Sequence, residues 1–288
     1  MWILSRPACA STAPLVASLI LLQAGSAQAG AANLYYERSV AVAAQTKCRL
    51  FEPRLAAALS AATLQARGAA LRSGVEATAL AATSARARSR VASVSCGDTD
   101  LRTMASRVEA GFAGWSRAAR VTFPGSWSDW RGDRFASTTE AWRLVQDGAA
   151  AGAPVRIGLV GRNPLETRLA AVVSLEGGRR PYAARLVMRN AQVMPRPWLA
   201  GEGLPPDSAR ASYFATGVRV AEAGLLAPGQ RRGDHWAFPQ SAAEALARLD
   251  PRETFSVEFL FRDDSVTVAR FEIGDFAAGR AFLAMGPL

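Results

Sequence analysis

The chain has 288 residues, of which 50% are hydrophobic and 20% are charged. This composition excludes a disordered chain, a collagen, a coiled coil and a multi-span membrane protein. It carries 34 Lys plus Arg against 24 Asp plus Glu, which gives a formal net charge of +10, and its length allows two domains of ordinary size.

Residues 1–29 are predicted to be a cleaved signal peptide. Arg6 precedes a short apolar stretch from Pro14 to Leu22, and Ala27-Gln28-Ala29 places small residues where a signal peptidase cuts. The alternative, an uncleaved membrane anchor, needs about 20 apolar residues, and polar residues interrupt the upstream half of this stretch. We therefore expect a mature chain that begins at Gly30, has no integral membrane span and resides in the periplasm or outside the cell.

Residues 30–125 are predicted to form an Ala/Arg-rich helical bundle. Apolar and small residues recur at spacings of three and four, with helices expected over 52–72, where Pro53 suits a first turn, and over 75–94. Asp98 or Thr99 is expected to cap the last helix. Four helices are expected in this region, and the last has the clearest apolar face. This face consists of Leu101, Met104, Val108, Phe112 and Trp115.

Two cysteines remain after removal of the leader, Cys48 and Cys96. An even pair in an oxidising compartment indicates a disulfide. The alternative, a redox or metal-binding thiol pair, lacks both a CxxC spacing and an adjacent histidine. We expect the bridge to pin the start of the second helix to the end of the third.

Residues 126–288 are predicted to be a β-rich domain. Short β-rich segments separated by turn residues favour a mostly antiparallel sheet, either a sandwich or a half-barrel, and thus an α+β fold class. Two short helices are expected to interrupt it, one started by a capping box from Ser241 to Glu244 and one capped by Asp275. The predicted strands are 155–160, 169–175, 182–193, 211–220, 255–261 and 266–273.

The positive charge is concentrated in the helical region. Residues 30–125 hold 13 basic against 6 acidic residues, a difference of +7, whereas residues 126–288 hold 20 against 18, a difference of +2. Such a surface can attract an anionic envelope polymer or lipid head groups, and the alternative is an ordinary solvated surface. No nucleic-acid motif is present, so no nucleic-acid partner is expected. The candidate contacts are Arg67, Arg72, Arg86 and Arg90.

Motifs for common catalytic chemistries are missing from the sequence. It has no GxSxG, no HExxH and no phosphate-binding glycine loop, and its one histidine, His235, is expected to be a surface or hydrogen-bonded loop residue. We therefore predict no catalytic residue, no cofactor and no metal ligand. A glycosidase needs only two carboxylates, and this alternative stays open.

The segment from Trp127 to Phe135 has the composition of a ligand site, because aromatic rings beside Arg and Asp can stack on a sugar and bind its hydroxyls. The alternative is that these residues pack the junction between the two domains. The candidate contacts are Trp127, Asp129, Trp130, Arg131 and Arg134.

Two further motifs lie near the C-terminus, Leu249 to Glu253 and Glu272 to Leu283. Together with the leader and the cysteine-bridged helices, they resemble uncharacterised exported proteins of GC-rich proteobacteria. This resemblance brings no activity and no site residue. We expect a non-enzymatic periplasmic or secreted factor for envelope binding or assembly. The alternative is a carbohydrate (peptidoglycan)-binding or glycan-acting protein that uses the segment from Trp127 to Phe135.

Overall fold

A computed structural model of the protein describes residues 16–175, 179–200 and 203–288. The predicted leader therefore lies partly outside the described residues. Helix α1 begins at Val16 and continues past the predicted cleavage point. Asp98 caps the helix that begins at Thr99 by accepting the Asp100 N–H at 2.8 Å, as expected. The helical region consists of α1 (Val16–Cys48), α2 (Pro53–Arg72), α3 (Ala77–Ala92), α4 (Thr99–Phe112) and a 3-10 turn (Trp115–Arg117).

The predicted disulfide is confirmed, with the Cα atoms of Cys48 and Cys96 5.5 Å apart. It joins the end of α1 to the turn before α4, and not the start of α2 to the end of α3 as the sequence suggested. Lys47 stands beside it and donates hydrogen bonds of 2.6 to 3.0 Å to three carbonyls at the end of α3. The bridge and the lysine together tie the C-terminal ends of α1 and α3 to one point.

The rest of the described chain consists mainly of antiparallel strands, and the α+β class is confirmed. Three early strands and β9 were not predicted. The strands are β1 (Arg120–Phe123), β2 (Trp130–Asp133), β3 (Ala141–Ala150), β4 (Ala153–Gly161), β5 (Arg168–Val173), β6 (Ala183–Arg189), β7 (Arg210–Phe214), β8 (Gly217–Val220), β9 (Asp234–Ala237), β10 (Thr254–Leu260) and β11 (Val266–Glu272). Two short helices accompany them, α5 (Gln240–Leu246) and α6 (Phe276–Leu283).

The strands form two sheets, in the orders β1-β2-β3-β4-β5-β9-β8 and β11-β10-β6-β7. Strands β7 and β8 are nearly continuous, since the N–H groups of Ala215 and Thr216 between them bond to the carbonyls of Ala184 and Ala237, one in each sheet. At the opposite side, the Glu272 N–H of β11 donates to the Gln146 side chain of β3 at 3.1 Å. The two sheets therefore curve into a half-open barrel.

The barrel interior is filled with apolar side chains. Phe255 and Phe271 stack with their ring centroids 5.5 Å apart, and a Cβ at Gly148 would lie 2.5 Å from the Phe271 ring. Residues from α2, α5 and α6 belong to the same buried cluster. The barrel is thus a packed core, and the larger cavities lie elsewhere.

Helix α2 packs on α6 and so joins the helical region to the barrel. Gly68 permits the contact, because a Cβ there would lie 2.0 Å from Asp275 Oδ1. Arg72, one turn further on, holds both oxygens of this carboxylate at 2.9 and 3.0 Å. Burial raises the pKa of Asp275 above its ordinary value, Arg72 opposes this shift, and nearby Glu272 adds to it.

Two predicted helix caps are not formed. Asp275 occupies the N-cap position of α6, but its side chain caps no N–H and binds Arg72. Ser241 lies inside α5, which begins after Pro239, and no side-chain cap is made there. None of the helices in the described part of the chain is long and apolar enough to cross a membrane.

Substitution of Gly68 tests the contact between α2 and α6. Gly68→Ala is expected to lower the free energy of unfolding by about 1–3 kcal/mol, because the new methyl would displace a buried, ion-paired carboxylate. Gly111→Ala in α4 is the matched control, since nothing lies within 4 Å of its Cβ position, and it is expected to stabilise. Urea unfolding of both variants measures the difference. Equal effects would contradict the proposed close contact.

Candidate functional site

Helix α4 leaves most of its apolar face only half covered. Leu101 is buried, as predicted for this face. Met104, Val108 and Phe112 follow it along the helix but remain partly exposed, although they contact the small cluster around Leu59. A helix that forms one face of a closed bundle would bury all of these positions.

Both ends of α4 are anchored. The disulfide holds its N-terminal end, because Cys96 lies just before the helix. Beyond its C-terminal end, Trp115 packs edge-on against Phe112 at 6.2 Å and against Phe282 of α6 at 5.7 Å. The helix therefore spans from the disulfide to the barrel, and its middle lies over a space.

This space is a cavity of about 840 Å³, here called the α4 groove. Its volume lies within the range of small-molecule sites, about 300–1,000 Å³. Helices α1 and α2 form its other wall. The apolar lining residues are Leu34, Ala41, Leu59, Ala62, Met104, Val108, Phe112 and Trp115.

Charged side chains stand around this apolar lining. Arg38 donates to the Ala62 carbonyl at 2.6 Å, and burial lowers the pKa of its guanidinium, although Glu37 opposes the shift. Arg107 is exposed and makes no hydrogen bond or ion pair within the described residues. Arg90 and Asp100 also line the groove. The site thus combines an apolar floor with three guanidinium groups and two carboxylates.

A second cavity of about 570 Å³ lies on another side of α1, against α3. Its lining is mostly apolar, although Ser39, Thr46 and Ser84 contribute hydroxyl groups to it. It has one aromatic residue, Tyr35, which is buried. The α4 groove is larger and presents the uncovered apolar face, so it is the stronger candidate.

The predicted ligand segment is divided between core and surface. Trp130 is fully buried and donates to the Ile273 carbonyl at 2.9 Å. Arg134 is also fully buried and donates to the carbonyls of Gly286, Ser116 and Ala118. These two side chains pack the junction, which was the alternative interpretation of the segment.

The other three predicted contacts lie at the surface. Arg131 pairs with Asp147 at 2.7 Å, and Asp129 accepts the Gly125 N–H at 3.1 Å. The Trp127 side chain is 57% exposed. The loop that carries Trp127 is held by hydrogen bonds, because the buried Glu272 carboxylate accepts the N–H groups of three successive residues, 126 to 128. Trp127 is therefore an exposed aromatic ring on a well-supported loop.

The four predicted anion contacts do not form one free surface. Arg72 is engaged by Asp275, and Arg67 lies half-buried beside the contact of α2 with α6. Arg86 and Arg90 are exposed on α3, and Arg86 donates to the Thr83 hydroxyl at 3.2 Å. Only the α3 pair stays available to an anionic surface.

His235 is not a surface loop residue, as the sequence suggested, but a buried residue of strand β9. Neither ring nitrogen has a hydrogen-bond partner within the described residues, and Nε2 lies 3.9 Å from the Glu140 carboxylate. Arg168 and Arg219 pair with the same carboxylate. Burial is the main cause that lowers the pKa of His235, with Arg219 next, while Glu140 opposes it.

Among the described residues, no group of three or more His, Cys, Asp or Glu side chains could hold a metal ion. The chain matches no family model, no curated protein and no solved structure. The resemblance to exported proteins of proteobacteria thus stays a prediction.

Acidification is expected to destabilise the protein through His235. Because its pKa is lowered in the folded state, the unfolded chain takes up this proton first, and the stability present above about pH 6.5 is lost as the pH falls through the folded value. Urea unfolding at several pH values should show a shallower loss of stability in His235→Gln than in the wild type. Identical pH profiles would contradict this assignment.

Proposed function

We propose that the protein is a non-enzymatic binding or assembly factor of the bacterial cell envelope that holds its partner in the α4 groove. The observation that carries this proposal is the half-covered apolar face of α4, which is anchored at both ends above a cavity of about 840 Å³. Each 100 Å² of this face covered by a partner would contribute about 2.5 kcal/mol.

Two features of the chain support export to the proposed location. The small residues before Gly30 and the Cys48–Cys96 disulfide both suit a protein that matures in an oxidising compartment. The only histidine is buried, so it offers no accessible imidazole for acid–base chemistry in the described structure. Binding, rather than catalysis, is the role that these features favour.

A substitution at Gly111 tests the groove. Gly111 lines the cavity and its Cβ position is open, so Gly111→Trp should fill the space without a clash. We expect the mature protein to bind the uncharged apolar dye N-phenyl-1-naphthylamine with increased fluorescence and Gly111→Trp to lose this signal. The mass of the exported wild-type protein should correspond to a chain that begins at Gly30.

The matched control is Ala110→Trp, which places the same ring on the exposed, outward side of α4. This variant should bind the dye as the wild type does. Absence of dye binding in the wild type, or equal binding in both tryptophan variants, would refute the proposed site.

A second candidate function is glycan binding at Trp127. The observation that favours it is the exposed indole on a loop whose backbone is held by Glu272. Rigid aromatic side chains lose little conformational entropy on binding, and so they suit stacking on a sugar ring.

Co-sedimentation with peptidoglycan tests this candidate. Trp127→Ala should lose most of the binding, because the stacking surface is removed while the core stays intact. Leu165→Ala, an exposed apolar residue elsewhere on the surface, is the control and should bind normally. Binding that survives in Trp127→Ala would exclude this site.

A further inference from the structure

The charges around the α4 groove are unevenly distributed along its length. Helices α1 and α4 run antiparallel, since Ala44 clusters with Leu101 near the disulfide, whereas Ala41 clusters with Val108 and Phe112 further along. Arg38 lies one turn before Ala41 on α1, and thus in the half of the groove away from the disulfide.

Two guanidinium groups therefore belong to that half, those of Arg38 and Arg107, against one carboxylate, that of Glu37. In the other half, Arg90 and Asp100 balance each other. Arg107 has no partner within the described residues, so its charge is available to a ligand. Negative charge on a ligand is favoured at the end near Trp115.

The size of the groove limits what can occupy it. From Asp100 to Phe112 the lining of α4 spans about 18 Å at 1.5 Å per residue. A helix of that length and about 10–12 Å diameter occupies about 1,400–2,000 Å³, so it could place only one of its faces in a cavity of about 840 Å³. A single hydrocarbon chain fits within both the length and the volume.

We infer that the α4 groove binds a single-chain amphiphile with an anionic head group. The tail lies along Met104, Val108 and Phe112, and the head group pairs with Arg38 and Arg107. This inference rests on the proposed function and adds the chemical class of the ligand. It uses charge complementarity for the head and apolar burial for the tail.

Competition against the uncharged dye measures this preference. Dodecanoate, dodecyl maltoside and dodecyltrimethylammonium share one tail and differ in head-group charge, and each is titrated below its critical micelle concentration. Dodecanoate should displace the dye at a concentration about tenfold lower than the cationic compound, as expected for a charge-assisted pair. Added salt should weaken dodecanoate more than the maltoside.

Arg107→Gln removes the unpaired guanidinium and should weaken dodecanoate about tenfold, while leaving displacement by the maltoside unchanged. Arg102→Gln is the matched control, because Arg102 is exposed on the same helix and does not line the groove. It should behave as the wild type.

The outcomes separate the two proposals. Dye binding with equal displacement by all three head groups would overturn the anionic ligand and leave the apolar groove intact. Failure of the dye to bind would overturn the proposed function itself. Concentration-dependent dimerisation that Gly111→Trp abolishes would instead identify a second copy of the chain as the occupant, and the ligand inference would be wrong.

Discussion

The contact between α2 and α6 is the constraint on which the rest of the molecule depends. Gly68 brings the helix backbone against the Asp275 carboxylate, and Arg72 closes the ion pair over it. Because α2 also carries Leu59 and Ala62, this contact fixes one wall of the α4 groove relative to the barrel. Glu272, three residues before Asp275, holds the Trp127 loop. One short stretch of chain thus positions both candidate sites.

The two halves of the protein use their apolar residues in different ways. In the barrel, large rings fill the interior, and glycines such as Gly148 and Gly279 permit neighbouring side chains to approach closely. In the helical region, alanine faces bury little area per helix, so the covalent bridge and the Trp115–Phe282 contact supply restraint at the two ends of α4. Because both ends of α4 are held, the helical region can contain a cavity without losing its arrangement. This cavity leaves room for a ligand.

Local signals in the sequence were sufficient for much of the fold. Pro53, Asp98 and the apolar spacing of α4 placed those helices within a few residues, and the cysteine pair was found by counting. Strand β1 was missed because it lies within the predicted helical region, and β2 and β3 were missed because their Trp, Arg and Gly residues resemble a loop. The α4 groove could not be predicted from the sequence either, since it depends on the distance of α4 from α1 and α2. For the same reason Asp275 looked like a helix cap until Arg72, about 200 positions away in the chain, approached it.

Lys47 has a consequence for chemical labelling. It is the sole lysine, so a reagent that attacks primary amines can modify the protein only at this side chain and at the N-terminus. Its ammonium group is held by three carbonyls at the end of α3, and an amine must lose its proton before it can act as a nucleophile. The rate of acylation at this position would therefore report fraying of the helix end next to the disulfide, at single-residue resolution and without any engineered tag.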